Sequence, residues 1–296
     1  MKPLVDLSHH NGDINFEILK ENISGAILRA GYGNGNLDRK FREYASECNR
    51  LNIPIGIYWF SYAYTQGMAI QEAESCAEII KDFKVDMPVF FDWEQDSWDN
   101  AVKRGVSPTQ GLITALNRVF CETIQARGYA PGFYYNEEYR KRYLDMSELP
   151  FYRWHARYKE SISVVCDLWQ YASDGSMPGI NGRVDMNKLI TESLISGTEV
   201  VTPIYKTNSE VAEEVIAGMW GNGDERKEKL TAAGYDYDKI QKCVNNLLAP
   251  KKKTNAEIAE EVIEGKWGNG QERKDRLKEA GYNPTTIQKL VNKLLK

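Results

Sequence analysis

The chain has 296 residues, of which 42% are hydrophobic and 11% aromatic, and its formal net charge at pH 7 is −4. This length and composition predict one large globular domain accompanied by smaller ones. Residues 1–208 carry 22 Lys and Arg against 27 Asp and Glu, and residues 209–296 carry 16 against 15. Neither part has the basic excess typical of a nucleic-acid-binding domain, so we expect no nucleic-acid partner.

The cysteines and the first residues predict the compartment. Five cysteines are scattered without a CxxC pair, which predicts buried free thiols instead of a zinc or disulfide framework. The opening MKPLVDLSHH lacks the apolar stretch of a signal peptide, and no run of 18 apolar residues could form a transmembrane helix. We therefore expect a protein that folds in a reducing cytoplasm and has no membrane partner.

Eight β-rich segments in the first 190 residues are predicted strands. In chain order they are LVDLSH, GAILRAGYG, PIGIYWFSYA, PVFFDWE, PGFYYN, FYRWHARY, CDLWQYA and RVDMNKL. Helical patterns lie between several of them, namely DRKFREYASECNRLN, MAIQEAESCAEIIKDF and GLITALNRVFCETIQARG. This alternation predicts a parallel sheet with crossover helices, closed into an irregular α/β barrel because the last strands leave little room for helices. An open doubly wound sheet is the alternative, but no GxGxxG motif follows the first strand, which argues against dinucleotide binding.

The C-terminal part contains a tandem repeat. EVAEEVIAGMWGNGDERKEKLTAAGYDYDKIQKCVNNLL starts at Glu210, and EIAEEVIEGKWGNGQERKDRLKEAGYNPTTIQKLVNKLL starts at Glu257. A repeat at a fixed period indicates tandem modules, and apolar residues at helical spacing predict three short helices in each, with stops at Gly218 and Gly234 in the first. The expected organisation is a barrel at 1–195, three-helix bundles at 209–249 and 256–296, and linkers at 196–208 and 250–255.

Four acidic residues are predicted to lie at one end of the barrel. Asp6 ends the first strand, Asp92 and Glu94 end the fourth, and Asp185 lies in the last. In α/β barrels the active site is at the carboxyl ends of the strands, and residues i and i+2 of a strand share a face. A single acid there is often a cap or an ion-pair partner. Four at one mouth suit the hydrolysis of a glycosidic bond, in which one carboxyl protonates the leaving oxygen and another stabilises or attacks the anomeric centre.

The neighbours of the acid pair are predicted to set its environment. Phe90 is expected beneath Asp92 and Glu94 on the same face, where it excludes water and favours a protonated Glu94. Phe91 and Trp93 are expected to point the other way and to pack on the helices.

Metal-dependent hydrolysis is the competing chemistry. His9 and His10 adjoin Asp6, and His155 lies in the sixth predicted strand. Adjacent histidines on a strand face opposite ways and cannot readily chelate one ion. We therefore expect neither a metal nor another cofactor.

Aromatic residues crowd the same strand ends, in the segments IYWFSYAY, GFYYN and LWQYA. Aromatic rings of Tyr and Trp can stack on the C–H faces of sugars, so these segments are candidate substrate-binding elements. From the first of them, Tyr58 and Tyr62 are predicted substrate-binding residues. The alternative is core packing, since about half of the residues of a barrel strand point inward.

Seven segments together resemble a known family. VDLSHHNG, ILRAGYG, PIGIYWFSYA, FFDWE, GYAPGFYYN, LWQYAS and GRVDMN stand in the order found in glycoside hydrolase family 25, the muramidases, over about residues 3–190. The repeats, which share GxWGNGxxRxxxLxxAGY, resemble cell-wall-binding repeats of the Cpl-7 type. The combination is similar to that of a bacteriophage endolysin.

The resemblance implies cleavage of the β-1,4 bond between N-acetylmuramic acid and N-acetylglucosamine, with Glu94 as the general acid and Asp92 as its partner in the D-x-E motif. Asp6 and Asp185 match the other two site acids of the family, and Tyr134 and Trp169 fall where the family has site aromatics. The D-x-E pair also suits substrate assistance, and the choice between a retaining and an inverting route stays open. A chitinase-like hydrolase and a non-catalytic wall-binding protein are the alternatives.

The resemblance also implies partners and a place of action. The partners are peptidoglycan glycan strands and muropeptides, and without a signal peptide the enzyme is expected to wait in the host bacterial cytoplasm before it reaches the wall. The matched repeat residues are candidate wall contacts, although a turn and a capping arginine would also explain them. These candidates are Asn222, Arg226, Asn269 and Arg273.

Overall fold

A computed structural model describes residues 2–162, 164–195, 206–233, 235–249 and 253–295. The chain divides into two compact units, residues 1–244 and 245–296. Most of the first predicted linker, half of the second and the predicted helix stop at Gly234 lie outside the described residues. The domain boundaries given above therefore remain predictions. In the part of the chain that the structure describes, no helix is long and apolar enough to cross a membrane.

Nine strands form one sheet. They are β1 (Leu4–Leu7), β2 (Gly25–Tyr32), β3 (Asn36–Leu37), β4 (Ile55–Phe60), β5 (Val89–Asp92), β6 (Pro131–Asn136), β7 (Tyr152–Ala156), β8 (Leu168–Gly175) and β9 (Val184–Leu189). The sheet order is β1-β9-β8-β7-β6-β5-β4-β2-β3, and a further pairing of β1 with β2 closes eight of the strands into a barrel. The short β3 pairs only with the end of β2, outside the barrel. The closed barrel predicted from the sequence is confirmed.

The last strand differs from the expectation of a parallel sheet. Strand β9 pairs antiparallel with both β8 and β1, whereas the other pairings around the barrel are parallel. The physical reason is the connection, because the short segment between β8 and β9 cannot accommodate the crossover that a parallel pair needs. Asp185 therefore lies near the beginning of its strand, and the reversal brings it to the end of the barrel where the other strands finish.

Helices cover the outside of the barrel. The three predicted helices are confirmed as α2 (Phe41–Arg50), α3 (Gln66–Ile80) and α5 (Gln110–Ala126). Three others were not predicted: α1 (Phe16–Lys20), α4 (Gln95–Lys103) and α6 (Glu137–Arg142). These are too short to show a clear apolar period. Two of them begin at an asparagine cap, since the side chains of Asn15 and Asn136 accept from backbone N–H groups of α1 and α6.

Strand alternation separates two apolar clusters, as the sequence around β5 predicts. Phe90 belongs to the cluster inside the barrel, whereas Phe91 and Trp93 belong to the cluster between sheet and helices. The Phe91 ring lies 4.7 Å from that of Phe120 on α5. Inside the barrel, the Phe90 ring packs against Gly132. A Cβ at position 132 would lie 2.5 Å from this ring, so only glycine fits there. Truncating a core phenylalanine of this kind to alanine typically costs about 3–5 kcal/mol.

Each repeat contains three helices. The first has α7 (Asn208–Ile216), α8 (Gly223–Ala232) and α9 (Tyr237–Leu248), and the second has α10 (Asn255–Ile263), α11 (Gly270–Glu279) and α12 (Pro284–Leu294). Helices α7 and α10 begin with the same capping box, formed by a threonine and the glutamate three residues later. The C-terminal stop after α7 is as predicted, since Gly218 has a φ of +82°.

The cores of the repeats are small. In the first repeat, the buried apolar side chains are Val211, Ala212, Val215, Leu230, Ile240 and Val244. Leu247 and Leu248, which share the apolar spacing of α9, are exposed instead, the latter at 64%.

Candidate functional site

The barrel brings the four predicted acids to one mouth. Asp6 in β1 pairs directly with Asp185 in the antiparallel β9. Asp92 is the last residue of β5, and Glu94 is the N-terminal cap residue of α4, immediately beyond the strand. Asp6 and Asp92 are buried, and the carboxyl groups act on each other electrostatically across the mouth. Both pairs therefore share one low-dielectric environment.

Asp92 and Glu94 form a carboxyl–carboxylate contact. Burial raises the pKa of Glu94 to about 7. Burial, followed by the charges of Glu94 and Asp6, raises the pKa of Asp92 well above its usual range. Two carboxyl groups so close cannot readily both ionise, so the pair keeps one proton near neutral pH. Among the residues that the structure describes, none hydrogen bonds to Asp92 Oδ1.

Asp6 and Asp185 form the second pair, and their surroundings differ. Asp6 Oδ2 accepts hydrogen bonds from the side-chain amides of Asn187, at 2.8 Å, and Gln170, at 3.0 Å. These donors favour an ionised Asp6, although burial raises its pKa. For Asp185, burial and then the charge of Asp6 raise the pKa to about 8. The geometry thus favours a protonated Asp185 beside an ionised Asp6.

Gln170 connects the acids with the aromatic side chains. Its Oε1 accepts from the hydroxyls of Tyr134 and Tyr158, each at 2.9 Å, while its Nε2 donates to Asp6. Tyr158 is 55% exposed, so its ring is accessible to a ligand at the mouth. The sequence reasoning missed Gln170 and Tyr158. The signal was available in LWQYA, where a polar residue occupies an inward position between apolar ones.

The four predicted aromatic residues do not all reach the mouth. Tyr58 and Tyr134 belong to the interior cluster, and both feel the charges of Asp92 and Asp6. Tyr62 follows β4 and is half-buried. Trp169 lies on the face of β8 opposite Gln170, and its Nε1 donates to the carbonyl of Arg157 at 2.8 Å. The structure therefore does not bring Trp169 into the acid cluster, and its predicted role stays a prediction.

An ionic group centred on the buried Asp38 adjoins the mouth. Arg29 in β2 donates from Nε to Asp38 at 2.8 Å, and His9 Nδ1 lies 2.9 Å from the same carboxylate oxygen. This arrangement uses His9 in an ion-pair network, and the sequence reasoning did not anticipate Arg29 or Asp38. Within the described ranges, no group of three or more His, Cys, Asp or Glu side chains is placed to hold a metal ion.

The matched residues of the repeats occupy equivalent positions. Asn222 and Asn269 are exposed N-terminal cap residues of α8 and α11. Arg226 is half-buried, donates from Nε to the carbonyl of Gly221 at 3.0 Å and contacts Asn222 Oδ1 at 2.9 Å. Arg226 therefore caps a carbonyl, as the structural alternative requires, and its part in wall binding stays a prediction.

The tryptophans of the repeats pack at the edge of each small core. Trp220 Nε1 donates to Glu214 at 3.1 Å, and Trp267 Nε1 donates to Glu261 at 3.0 Å. The rings also pack edge-on against Tyr235 and Tyr282. Both are partly buried, which fits a structural role.

Comparison with known proteins decides the family. Residues 5–180 match the model of glycosyl hydrolases family 25, and residues 209–248 and 256–295 each match the CW_7 repeat. The chain belongs to glycosyl hydrolase family 25. Both the family and the two repeats predicted from the sequence are thus confirmed. Asp185 lies just beyond the residues matched to family 25, and its pairing with Asp6 in the barrel associates it with the site.

Relatives of this family 25 chain include a phage lysozyme and a bacterial autolysin. The lysozyme of Streptococcus phage Cp-7 is 29% identical over 258 residues, which are 82% of this chain and 69% of the relative. The modular autolysin LytC of Streptococcus pneumoniae is 26% identical with a TM-score of 0.56, over 63% of this chain and only 46% of the longer LytC chain. The catalytic domain of endolysin ply40 from bacteriophage P40 of Listeria monocytogenes is 24% identical with a TM-score of 0.55, over 67% of this chain and 97% of that domain, and shows the shared fold.

Proposed function

We propose that this family 25 hydrolase cleaves the β-1,4 bond between N-acetylmuramic acid and N-acetylglucosamine in peptidoglycan and thereby lyses bacteria. The observation that carries the proposal is the contact between Asp92 and Glu94 at the barrel mouth, with the pKa of Glu94 raised to about 7. A general acid is most effective when its pKa lies near the working pH. The printed descriptions of the relatives as a lysozyme and an autolysin support peptidoglycan as the substrate.

Glu94 is the proposed general acid. Burial raises its pKa and keeps a proton available on the pair near neutral pH. When the glycosidic C–O bond breaks, that proton passes from Glu94 to the leaving oxygen, which otherwise would depart as an alkoxide. The same carboxylate can then take a proton from the water that completes hydrolysis.

Asp92 is the proposed partner of the substrate's acetamido group. Its Oδ1 is buried, and no hydrogen-bond donor among the described residues reaches it. A carboxylate oxygen accepts an N–H readily, and an acetamido N–H bound there would satisfy the oxygen and favour an ionised Asp92. This arrangement supports substrate assistance, in which the acetamido carbonyl attacks the anomeric carbon while the proton of the pair resides on Glu94.

Asp6 and Asp185 are proposed to shape the electrostatics of the mouth. Two amide donors hold Asp6 in place, and the network through Gln170 extends to Tyr134 and Tyr158. An ionised Asp6 contributes negative charge near the site of an oxocarbenium-like transition state. The exposed Tyr158 ring is suitable for stacking on a sugar.

The experiment that tests the proposed bond is reducing-end analysis of digested wall. New muramic acid ends are expected if the enzyme is a muramidase. New glucosamine ends would instead identify a different N-acetylglucosaminidase, and unchanged turbidity of a wall suspension would identify a wall-binding protein without activity. A matched digestion with Glu94→Gln shows which ends depend on the proposed acid.

The two repeats are proposed to hold the enzyme on the wall, with muropeptides as their ligands. The descriptions of relatives as a lysozyme and an autolysin support action on the wall, and we propose synthesis in the host bacterial cytoplasm before release. We propose the barrel at 1–195 as the catalytic domain and the modules at 209–249 and 256–296 as binding domains. Fractionation of producing cells before and after lysis tests the place of action.

A further inference from the structure

One buried acid on the helical layer of the barrel belongs to neither of the acid pairs at the mouth. Glu72 is on α3 and is only 1% exposed, and it is separate from the two acid pairs described above. Burial raises its pKa to about 7. Ionising a buried carboxyl group is unfavourable for the folded state, so an apolar side chain of similar size would be easier to accommodate at this position. The hydrogen bonds that Glu72 accepts are what an apolar side chain could not provide.

Glu72 contacts the segment that follows β4. Its Oε1 accepts a hydrogen bond from the backbone N–H of Tyr62 at 3.1 Å, and the side chain of Ser61 faces the same carboxyl group. Ser61 is fully buried, and its Oγ accepts from the backbone N–H of Ala63 at 3.0 Å. The segment 61–63, which has no regular secondary structure, thus obtains two of its backbone hydrogen bonds from the side chains of Glu72 and Ser61.

The same segment holds the backbone around Glu94. Ser97 Oγ donates to the carbonyl of Ser61 at 2.6 Å and accepts from the N–H of Glu94 at 3.0 Å. The N–H of Ser61 donates to the carbonyl of Asp92 at 2.8 Å. The Ser97 hydroxyl therefore connects the carbonyl of Ser61 to the N–H of Glu94, and the N–H of Ser61 binds the carbonyl of Asp92 directly.

A third connection lies between the two acids. Trp93 Nε1 donates to the carbonyl of Ala63 at 2.8 Å in a buried contact. The three residues from Asp92 to Glu94 are consequently bound at three points to the segment that Glu72 holds. A displacement of that segment would move the carboxyl group of Glu94, and a misplacement of about 1 Å can reduce a rate about 10²-fold.

We propose that Glu72 is a positioning residue for Glu94, acting through the Ser61–Ala63 segment. This role rests on the proposed function, since it assumes that Glu94 is the acid. Glu72 does not touch the substrate; it determines where the backbone of Tyr62 lies, and through Ser61 and Ser97 where that of Glu94 lies.

The experiment compares variants on α3 of the full-length enzyme. Glu72→Leu removes the acceptor and Glu72→Gln retains an oxygen for the Tyr62 N–H, whereas Ile80→Ala destabilises the same helix at a buried position about two turns further along α3. For a soluble peptidoglycan glycan, we expect Glu72→Leu to lower kcat about 10-fold or more with KM changed less than about twofold. We expect Glu72→Gln to restore most of kcat, and Ile80→Ala to lower Tm but not kcat.

A structural measurement is made in parallel, because it does not depend on activity. The N–H groups of Tyr62 and Glu94 should exchange with solvent faster in Glu72→Leu than in wild type. In Ile80→Ala, the exchange rates of these two groups should equal those of wild type. Unchanged kcat and exchange in Glu72→Leu, or an equal kcat loss in Ile80→Ala, would overturn the proposal. If Glu72→Leu does not fold, Ser97→Ala removes the hydroxyl that joins the Ser61 carbonyl to the Glu94 N–H and is expected to lower kcat and the protection of the Glu94 N–H in the same way; no effect there would also overturn the proposal. A wild-type enzyme that fails to cleave the glycan would refute the proposed function alone, and the exchange data would still decide the role of Glu72.

Discussion

The barrel mouth and the C-terminal repeats treat acidic side chains in opposite ways. At the mouth, burial raises the pKa values of Asp92, Glu94 and Asp185. In the repeats, ion pairs with Lys206 and Lys253 lower the pKa values of the equivalent Glu214 and Glu261, which also accept from tryptophan. The mouth thus makes the ionised form unfavourable, whereas the repeats stabilise it.

The difference matches the two proposed tasks. A general acid must release a proton during the reaction, so an environment that leaves a carboxyl protonated near neutrality is useful although it lowers stability. A recognition module has no such need, and its acids can support the fold through capping boxes and ion pairs. The proposed catalytic role in one region and the structural role in the other therefore follow from a difference in the burial of the same residue type.

The sharpest test of this comparison is Glu94→Gln. Glutamine has a similar volume but no proton to transfer, and general acid catalysis contributes roughly 10²–10⁴ in rate, so we expect wall lysis to fall by about that factor. Tm and wall binding should change little. Glu214→Gln, the same change in a repeat, is the control and should leave kcat unaltered. Lysis by Glu94→Gln above about a tenth of the wild-type rate would exclude this residue as the acid.

The repeats can be tested by separating them from the barrel. Residues 1–200 should fold and cleave glycan, and residues 209–296 should bind wall without cutting it. Two copies should bind about 10²-fold more tightly than one if both sites engage together, because the second binding event is intramolecular. Pull-down of wall with one and two copies measures the gain, and equal binding would rule out multivalency.

A salt series adds a second criterion to the same pull-down. Residues 209–296 carry 16 Lys and Arg against 15 Asp and Glu, hence a net charge of +1, which implies recognition by hydrogen bonds and stacking. Binding should then persist at about 0.5 M salt, where the Debye length is only about 4 Å. Release at moderate salt would show that the repeats rely on charge.

Within the mouth, Asp92→Asn and Asp185→Asn should have graded effects. Asp92 contacts Glu94 and is proposed to hold the acetamido group, so we expect a loss of up to about 10²-fold in kcat. Asp185 acts on Asp6 and through the electrostatic field at the mouth, so we expect its substitution to lower kcat by about 10-fold. Single-turnover rates of both variants give the comparison, and a larger loss for Asp185→Asn would reverse the roles assigned here.

The smallest predicted effect concerns pH and stability. A carboxyl whose folded pKa is raised favours the folded state at low pH and loses that contribution as the pH rises through the folded value. For Asp185 the window runs from the ordinary pKa of 3.8 to the raised pKa of about 8. Asp185→Asn should therefore gain Tm relative to wild type on going from pH 5 to pH 8.5, by about 2–4 °C for each kcal/mol. If the Tm difference between Asp185→Asn and wild type is the same at both pH values, the pKa of Asp185 is not raised in the folded protein.

Much of the barrel was predictable from local sequence. Buried strands such as PVFFDWE are short apolar runs, and the position of Phe90 inside and Phe91 outside follows from alternation alone. The antiparallel β9 was not predictable in this way, because strand direction depends on the length and path of a connection. Short helices such as α4 were not predicted, because they have fewer turns than a recognisable apolar period needs.

The acids of the site were predictable, but their partners were not. Asp92 and Glu94 stand out as charges at the end of an apolar strand. No local sequence pattern distinguishes Gln170 and Glu72. Their proposed roles come from tertiary contacts, with Asp6 for Gln170 and with the backbone of Tyr62 for Glu72. Trp169 illustrates the reverse case, because an aromatic residue in a matching motif faces away from the acids.

The direction of β9 also has a practical consequence for engineering. Because β9 begins at the mouth, it ends at Leu189 on the opposite end of the barrel, and the following turn inserts Leu194 into the interior cluster. A cargo joined after this turn, such as a fluorescent protein, an affinity tag or a binding module for another bacterial genus, would emerge away from the opening through which the glycan enters. In a chimeric enzyme, the new domain should accordingly be joined after Leu194 and not before it, so that the barrel keeps the Leu194 side chain in its interior cluster.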